Sequence, residues 1–212
     1  METELDESEL ISRSVAGDKT AMGQLFSRHE VRLKRMISVR MDPRIGGRLD
    51  SSDIFQELQL EASQRLQEFA QQPAVPFFVW MRFLAKQKIA EACRRHVYTQ
   101  SRDVRREQSD LRSDGEGTSV SLASFLLGQI TSPSMQVAKA EIRQLVLSAI
   151  DSMDPLDREI LLMRHAEQLS SSETAEELGI SQNTCRQRHV RALKRLKVIL
   201  SQHDLAWGEK GE

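Results

Sequence analysis

The stretch from Ser170 to Leu200 constrains this chain more than any other, because a capping signal, a short periodic run, a glycine and a second, longer periodic run follow in direct succession. Ser170 and Glu173 have the S-x-x-E spacing of a capping box, in which the hydroxyl accepts from an orphan amide and the carboxylate reaches back to the cap. Gly179 can take the left-handed conformation that ends a helix at little steric cost. The spacing predicts a helix to Leu178, a corner plugged by Ile180, and a second helix capped by Ser181. That is a helix-turn-helix.

From Ser181 to Leu200 there are six basic residues and no acidic one, while apolar residues recur near 185, 192, 193, 196 and 200. One face of this helix is expected to pack and the other to be strongly positive. Its first turns expose Ser181, Gln182, Asn183, Thr184, Arg186, Gln187 and Arg188, with Arg191 a turn further, all side chains able to bond base edges or phosphates. A charged helix face is commonly only a solvated one. Six positives with no compensating negative favour DNA contact.

Net charge says nothing here, since Asp plus Glu outnumber Lys plus Arg by 31 to 30, but the charges are segregated. Residues 1 to 10 hold five acids and no base, residues 50 to 69 five acids and one base, and residues 82 to 106 eight bases and two acids. A nucleic-acid binder can be neutral overall when it is patched in this way. Two cysteines, 93 and 185, form no zinc site by themselves, and a reducing cytoplasm is the simplest setting for them. No leader-like segment and no apolar run of about eighteen residues is present, so neither export nor membrane insertion is expected. Long runs of helix formers, with few β-branched alternations, predict an all-α protein of two small helical domains joined by a flexible linker.

In chain order, a helix from Glu7 to Ala16 stops at Gly17, and Asp18 caps a second that runs to about Met41, where Asp42-Pro43 ends it. After the RIGGRL loop, Asp50 opens a third helix with Ile54, Phe55, Leu58, Ala62, Leu66 and Phe69 inward and Asp53, Gln56, Glu57 and Glu61 outward. The residues alone favour a merely solvated role for that acidic ridge. QQPAVP breaks the chain, and a fourth helix from about Phe77 to Tyr98 buries Trp80, Met81, Leu84, Ala85 and Ala92 while presenting Arg82, Lys86, Lys88, Arg94 and Arg95. Aromatics interleaved with cations suit single-stranded nucleic acid, with Pro76, Phe77 and Phe78 at the loop edge as the base-contacting candidates and Trp80 assigned to the core.

Residues 100–132 read as the linker, serine-rich and charged, with one apolar patch at Leu122 to Leu127 that needs a docking place. Ser132-Pro133 starts a helix carrying Ile142, Leu145, Val146, Ala149, Ile150 and Met153. Asp154-Pro155 starts another, to about Glu167, that leads into the helix-turn-helix. The expected domains are 1–99 and 133–204, with 205–212 a tail.

This layout resembles the bacterial RNA polymerase sigma factors of the extracytoplasmic-function (group four) class of the sigma-70 family. DSSDIFQELQLEASQRLQEF is similar to the family's D-x-x-D-[LI]-x-Q-E segment, and FFVWMRFLAKQKIAEACRRH to its F-x-x-W-L-x-x-I-A-x-N motif. MDPLDREILLMRHAEQLSSSETAEELGISQNTCRQRHVRALKRL follows its L-x-x-x-x-R-x-[VI]-[LF], E-[IL]-A-x-x-L-[GN]-[IV]-S and T-V-[KR]-x-R-x-x-R-A patterns. The resemblance implies a promoter-recognition subunit with sigma regions 2 and 4. Asp53, Gln56 and Glu57 would dock on the clamp coiled coil of core RNA polymerase, whose flap is a further partner, and this reverses the solvated reading of the ridge. Pro76, Phe77, Phe78, Arg82, Lys86, Lys88, Arg94 and Arg95 would hold the opened minus-ten strand around a flipped base. Residues Ser181 to Arg191 would read the minus-thirty-five element, and an anti-sigma factor is a further candidate partner.

Gln87 stands where the family has Asn, Thr174 where it has Ile, Cys185 for Val and His189 for Leu, and the loop lacks the Arg-Gly-Asp/Glu-like residues that many relatives carry there, which leaves the flipped base open. Cys185 and His189 read as core substitutions, and no metal or cofactor is expected. No Gly-rich phosphate loop, G-x-S-x-G or H-E-x-x-H supports an enzyme. The alternatives are a helix-turn-helix regulator that binds duplex DNA alone, and a protein interaction module with degenerate DNA contacts.

Overall fold

The computed structural model describes residues 6–41, 50–100, 114–130 and 139–201. Among them every regular element is helical, and the chain divides into two compact units, Met1–Asp103 and Val104–Glu212. The RIGGRL loop, the Ser132-Pro133 start and the tail lie outside the described residues.

In the first unit, α1 (Glu7–Val15) closes at Gly17, whose φ of +94° suits glycine alone. Asp18 then accepts from the Thr20 and Ala21 amides at 2.9 and 3.1 Å, opening α2 (Lys19–Arg40), and also receives Arg13 at 2.6 Å. These bonds, the Ala21 amide first, hold its carboxyl below the usual carboxylate range. α3 (Ser51–Gln71) buries every residue of the expected stripe. Its start is a reciprocal cap: Asp50 accepts from the Asp53 amide at 2.9 Å and Asp53 from the Asp50 amide at 3.0 Å. Asp53 is therefore exposed and structural at once.

α4 (Phe77–Gln100) packs on both α2 and α3, so it is buried over a wider arc than one stripe. Phe77, Phe78, Val79, Met81, Leu84, Ala85, Ile89 and Ala92 all go inward. His29 from α2 stacks on Phe78 at 5.5 Å and meets Glu7 of α1 at 2.7 Å, tying three helices together.

In the second unit, α5 (Asp114–Ile130) corrects the linker reading. Serines and charges argue against order only while the apolar patch has no partner. Here Leu122, Ala123 and Leu126, which recur at helical spacing, are buried as α5 packs on α6 (Lys139–Asp151) and α7 (Pro155–Leu161). Two polar bonds fix it, from Thr118 to Glu159 at 2.8 Å and from Arg158 to Ser119 at 2.9 Å. α6 buries Ile142, Val146, Ala149 and Ile150, with Leu145 left 37% exposed.

Asp154 caps α7 by accepting from the Leu156 amide at 2.9 Å. α7 runs on into a wide turn, Leu162–Ala166, closed by the Glu167 amide on Leu162 at 3.0 Å. α8 (Ser171–Leu178) and α9 (Gln182–Ser201) complete the unit.

Candidate nucleic-acid and partner interfaces

The helix-turn-helix is built as its residues dictate. The Ser170 hydroxyl accepts from the Glu173 amide at 3.1 Å while Glu173 accepts from the Ser170 amide at 2.8 Å. Gly179 sits at φ +63°, and the Ile180 amide returns to Ala175 at 3.0 Å, closing α8. Ser181 accepts from the Thr184 amide at 3.1 Å and starts α9. Ile160, Ala175 and Cys185 form the hinge of the motif, with Leu156, Leu178 and Ile180 packed around them. Thr174, fully buried, donates to the Ser170 carbonyl at 2.8 Å, so its hydroxyl is satisfied without a partner from another helix.

Ser181, Gln182, Asn183, Thr184, Arg186, Gln187 and Arg191 are exposed, and Cys185, Ala192 and Leu196 are buried. Arg188 departs from the expectation. It lies on the buried side of α9, three residues after Cys185, and donates to Asp157 at 2.8 Å and Asp154 at 3.2 Å. It clamps α9 to the start of α7. Arg186 and Arg191 are drawn into no ion pair among the described residues, and they are exposed cations in the first half of this helix, with Lys194, Arg195 and Lys197 exposed further along.

His189 also faces α7 and its wide turn: its Nε2 is 2.9 Å from Nε2 of His165, with the rings stacked at 5.1 Å. Burial, then His165, then Arg164 lower its pKa to about 4. Burial pushes the Cys185 thiol up. Cys185 and His189 thus serve packing, and among the described residues no three His, Cys, Asp or Glu side chains gather to hold a metal.

On α4 the outcome is mixed. Phe77 and Phe78 are only 2% and 5% exposed and Arg82 is fully buried, so the expected presentation of all three is wrong. Arg82 and Arg32 lie over the Phe78 ring, at 5.9 and 3.9 Å, which makes Phe78 a packing element. Trp80 is partly buried, stacked on Phe69 at 4.6 Å. The outward face instead carries Phe83, Gln87, Ala90 and Arg94, with Lys86 half-buried and Pro76 exposed at its start. Phe83 is 53% exposed, the one ring α4 offers among its described side chains. It was visible in the periodicity, since 83 and 87 lie opposite the 77, 81, 84 and 85 stripe.

On α3, Asp53 and Gln56 are exposed, and Leu60, 64% exposed, stands one turn beyond them on the same face. Glu57 is half-buried because Arg95 donates to both of its carboxylate oxygens, at 2.7 and 3.0 Å. Lys88 meets Glu61 at 3.2 Å and Glu91 at 3.1 Å. Glu57 and Arg95, which the resemblance assigns to different partners, therefore pair with one another across the α3–α4 seam. Among the described residues no helix is long and apolar enough to cross a membrane.

Residues 143–196 match the family "Sigma-70, region 4". The chain is 40% identical over 63 residues to an RNA polymerase sigma-E factor of Streptomyces antibioticus, covering 30% of this chain and 35% of that protein. It is 26% identical over 192 residues to the ECF RNA polymerase sigma factor BldN of Streptomyces coelicolor, covering 91% of this chain and 65% of BldN. It thus spans 35% to 65% of the length of these relatives. The solved structure of CnrH in complex with the cytosolic domain of CnrY has a TM-score of 0.52 with 22% identity, over 93% of this chain and 99% of CnrH, a likeness of fold.

The helix-turn-helix therefore lies within the stretch that is similar to sigma-70 region 4. The long alignment to BldN adds a similarity to an ECF sigma factor that extends over most of this chain.

Proposed function

We propose that this chain is a sigma factor that binds core RNA polymerase in the cytoplasm and directs promoter-specific initiation. The observation that carries the reading is the start of α9, where Gln182, Asn183, Arg186, Gln187 and Arg191 stand exposed beyond a left-handed Gly179 corner in a region 4 module. A helix so placed enters the major groove with its first turns on base edges, here those of the minus-thirty-five element. Arg188 is removed from the set of base readers and assigned to positioning α9.

In the first unit, the opened minus-ten strand runs along the outer face of α4, from Pro76 past Phe83 and Lys86 to Arg94. Stacking on the ring is tolerant of sequence, and the cations hold phosphates. Polymerase docks on the outward face of α3. Leu60 is an apolar anchor there, ringed by Asp53, Gln56 and Glu57, the arrangement in which one buried side chain supplies energy and surrounding polar groups supply orientation. CnrH is held by the cytosolic domain of CnrY, and a protein that covers one of these surfaces belongs to the same proposal for this chain.

Core polymerase binding tests the reading. The purified chain should co-elute with core enzyme, and Leu60→Glu should weaken that complex by at least tenfold without changing the helical content. A chain that shifts duplex DNA alone and ignores core enzyme would be a stand-alone regulator instead.

A further inference from the structure

Two histidines of the second unit form a pair for which the proposed function has no use. His165 stands in the wide turn Leu162–Ala166 that follows α7, and His189 stands on α9, one residue after the Arg188 clamp. Their Nε2 atoms are 2.9 Å apart, and both residues are partly exposed. The turn that carries His165 holds one residue more than an α-helical turn, and Gln168 just beyond it has a left-handed φ of +61°. A conformation that residues other than glycine rarely take is a reason to look for function beside it.

We infer that His165 and His189 together bind one divalent first-row transition ion through their Nε2 atoms, with water completing its coordination. Imidazole nitrogens suit nickel, copper and zinc and bind at about 2.0–2.1 Å. Two nitrogens at that distance and at a right angle about one ion stand about 2.9 Å apart, whereas a tetrahedral site would set them about 3.3 Å apart. The observed separation is that of neighbouring positions in a square or tetragonal shell, the geometry of nickel(II) and copper(II) rather than zinc. In the metal-free pair one ring donates to the other; with the ion in place the donating ring carries its proton on Nδ1 instead, and both remain neutral ligands. Arg164 acts on His189 and opposes a cation there, while its guanidinium donates to the Leu169 carbonyl. Two protein ligands against that repulsion make an open, exchangeable site, weaker than a closed structural one. The ion ties the turn before α8 to the middle of α9, on either side of the Gly179 corner, and so fixes the angle at which α9 is presented. The inference stands whether or not the chain is a sigma factor.

Isothermal titration and thermal unfolding of the full chain, stripped with EDTA and dialysed, test the site with NiCl2 as the probe. Nickel should bind at this pair, and about 100 μM NiCl2 should raise the melting temperature of the helix-turn-helix unit by about 4–8 °C. His165→Gln and His189→Gln should each lower nickel affinity by about tenfold or more and remove most of that rise. Helical content in EDTA shows that each variant folds, and His165→Gln, in a partly exposed turn, reads the site should the α9 substitution unfold the unit. Nickel affinity unchanged in the folded variants would place the ion at other side chains. No binding to the native chain would leave the pair a hydrogen bond alone. Either result overturns the inference, and a larger rise with ZnCl2 than with NiCl2 would overturn the right-angle geometry.

Discussion

Acidification should destabilise the helix-turn-helix unit through His189 before any carboxylate responds. Burial beside His165 and Arg164 lowers the His189 pKa from its ordinary 6.5 to about 4, so the unfolded chain takes up the proton first as pH falls. The stabilisation is complete above about pH 6.5 and is lost progressively toward pH 4. Between pH 7 and pH 5 the full shift would cost about 1.8 kcal/mol, and the partial exposure of the ring reduces that to about 1 kcal/mol. For a unit of this size such a loss lowers the melting temperature by about 4–8 °C. Thermal unfolding followed by circular dichroism at pH 7, 6 and 5 measures it. His189→Gln keeps a hydrogen-bonding group for His165 and removes the titration, so its melting temperature should fall by less than half as much. An unchanged pH slope in that variant would refute the assignment to His189. Asp18 and Glu61 in the first unit have lowered pKa values, so their stabilisation is present above their ordinary 3.8 and 4.5 and is lost only as pH falls further.

Further substitutions at Arg188, Arg186 and Phe83 test the assignments on α9 and α4. Arg188→Ala removes the clamp between α9 and Asp154 and Asp157, and should cost about 1 kcal/mol of stability in urea unfolding, whereas Arg186→Ala should cost under about 0.5 kcal/mol and weaken DNA binding instead. Phe83→Ala should weaken dT20 binding by about 1–3 kcal/mol and leave its salt dependence unchanged, because a stacked base releases no counterion. Phe83→Trp should restore it, and a loss confined to the salt slope would contradict the stacking role.

The helix-turn-helix was legible because its determinants are local: a capping box at Ser170 and Glu173, a left-handed glycine at 179 and a second cap at Ser181. The α3 stripe was equally legible, since one periodicity describes a helix buried on one side. α4 was harder. It packs against two helices, so Phe78 and Arg82 go inward along with Phe77, and a single-stripe reading left them outside. Arg188 was misread through charge, although its place three residues after Cys185 puts it on the packed side. α5 was missed because composition argues about an isolated segment, while its order depends on α6 and α7 far along the chain. The pairing of Glu57 with Arg95 joins residues 38 apart and left no sequence signal.

Run-off transcription is the direct measurement of the central claim. Core RNA polymerase with this chain should produce a discrete transcript from a template carrying its promoter and none when either recognition element is scrambled, with Arg186→Ala impairing the upstream element alone. Equal transcription from all templates, or none with any template at saturating chain, would contradict promoter-specific initiation by two helical modules.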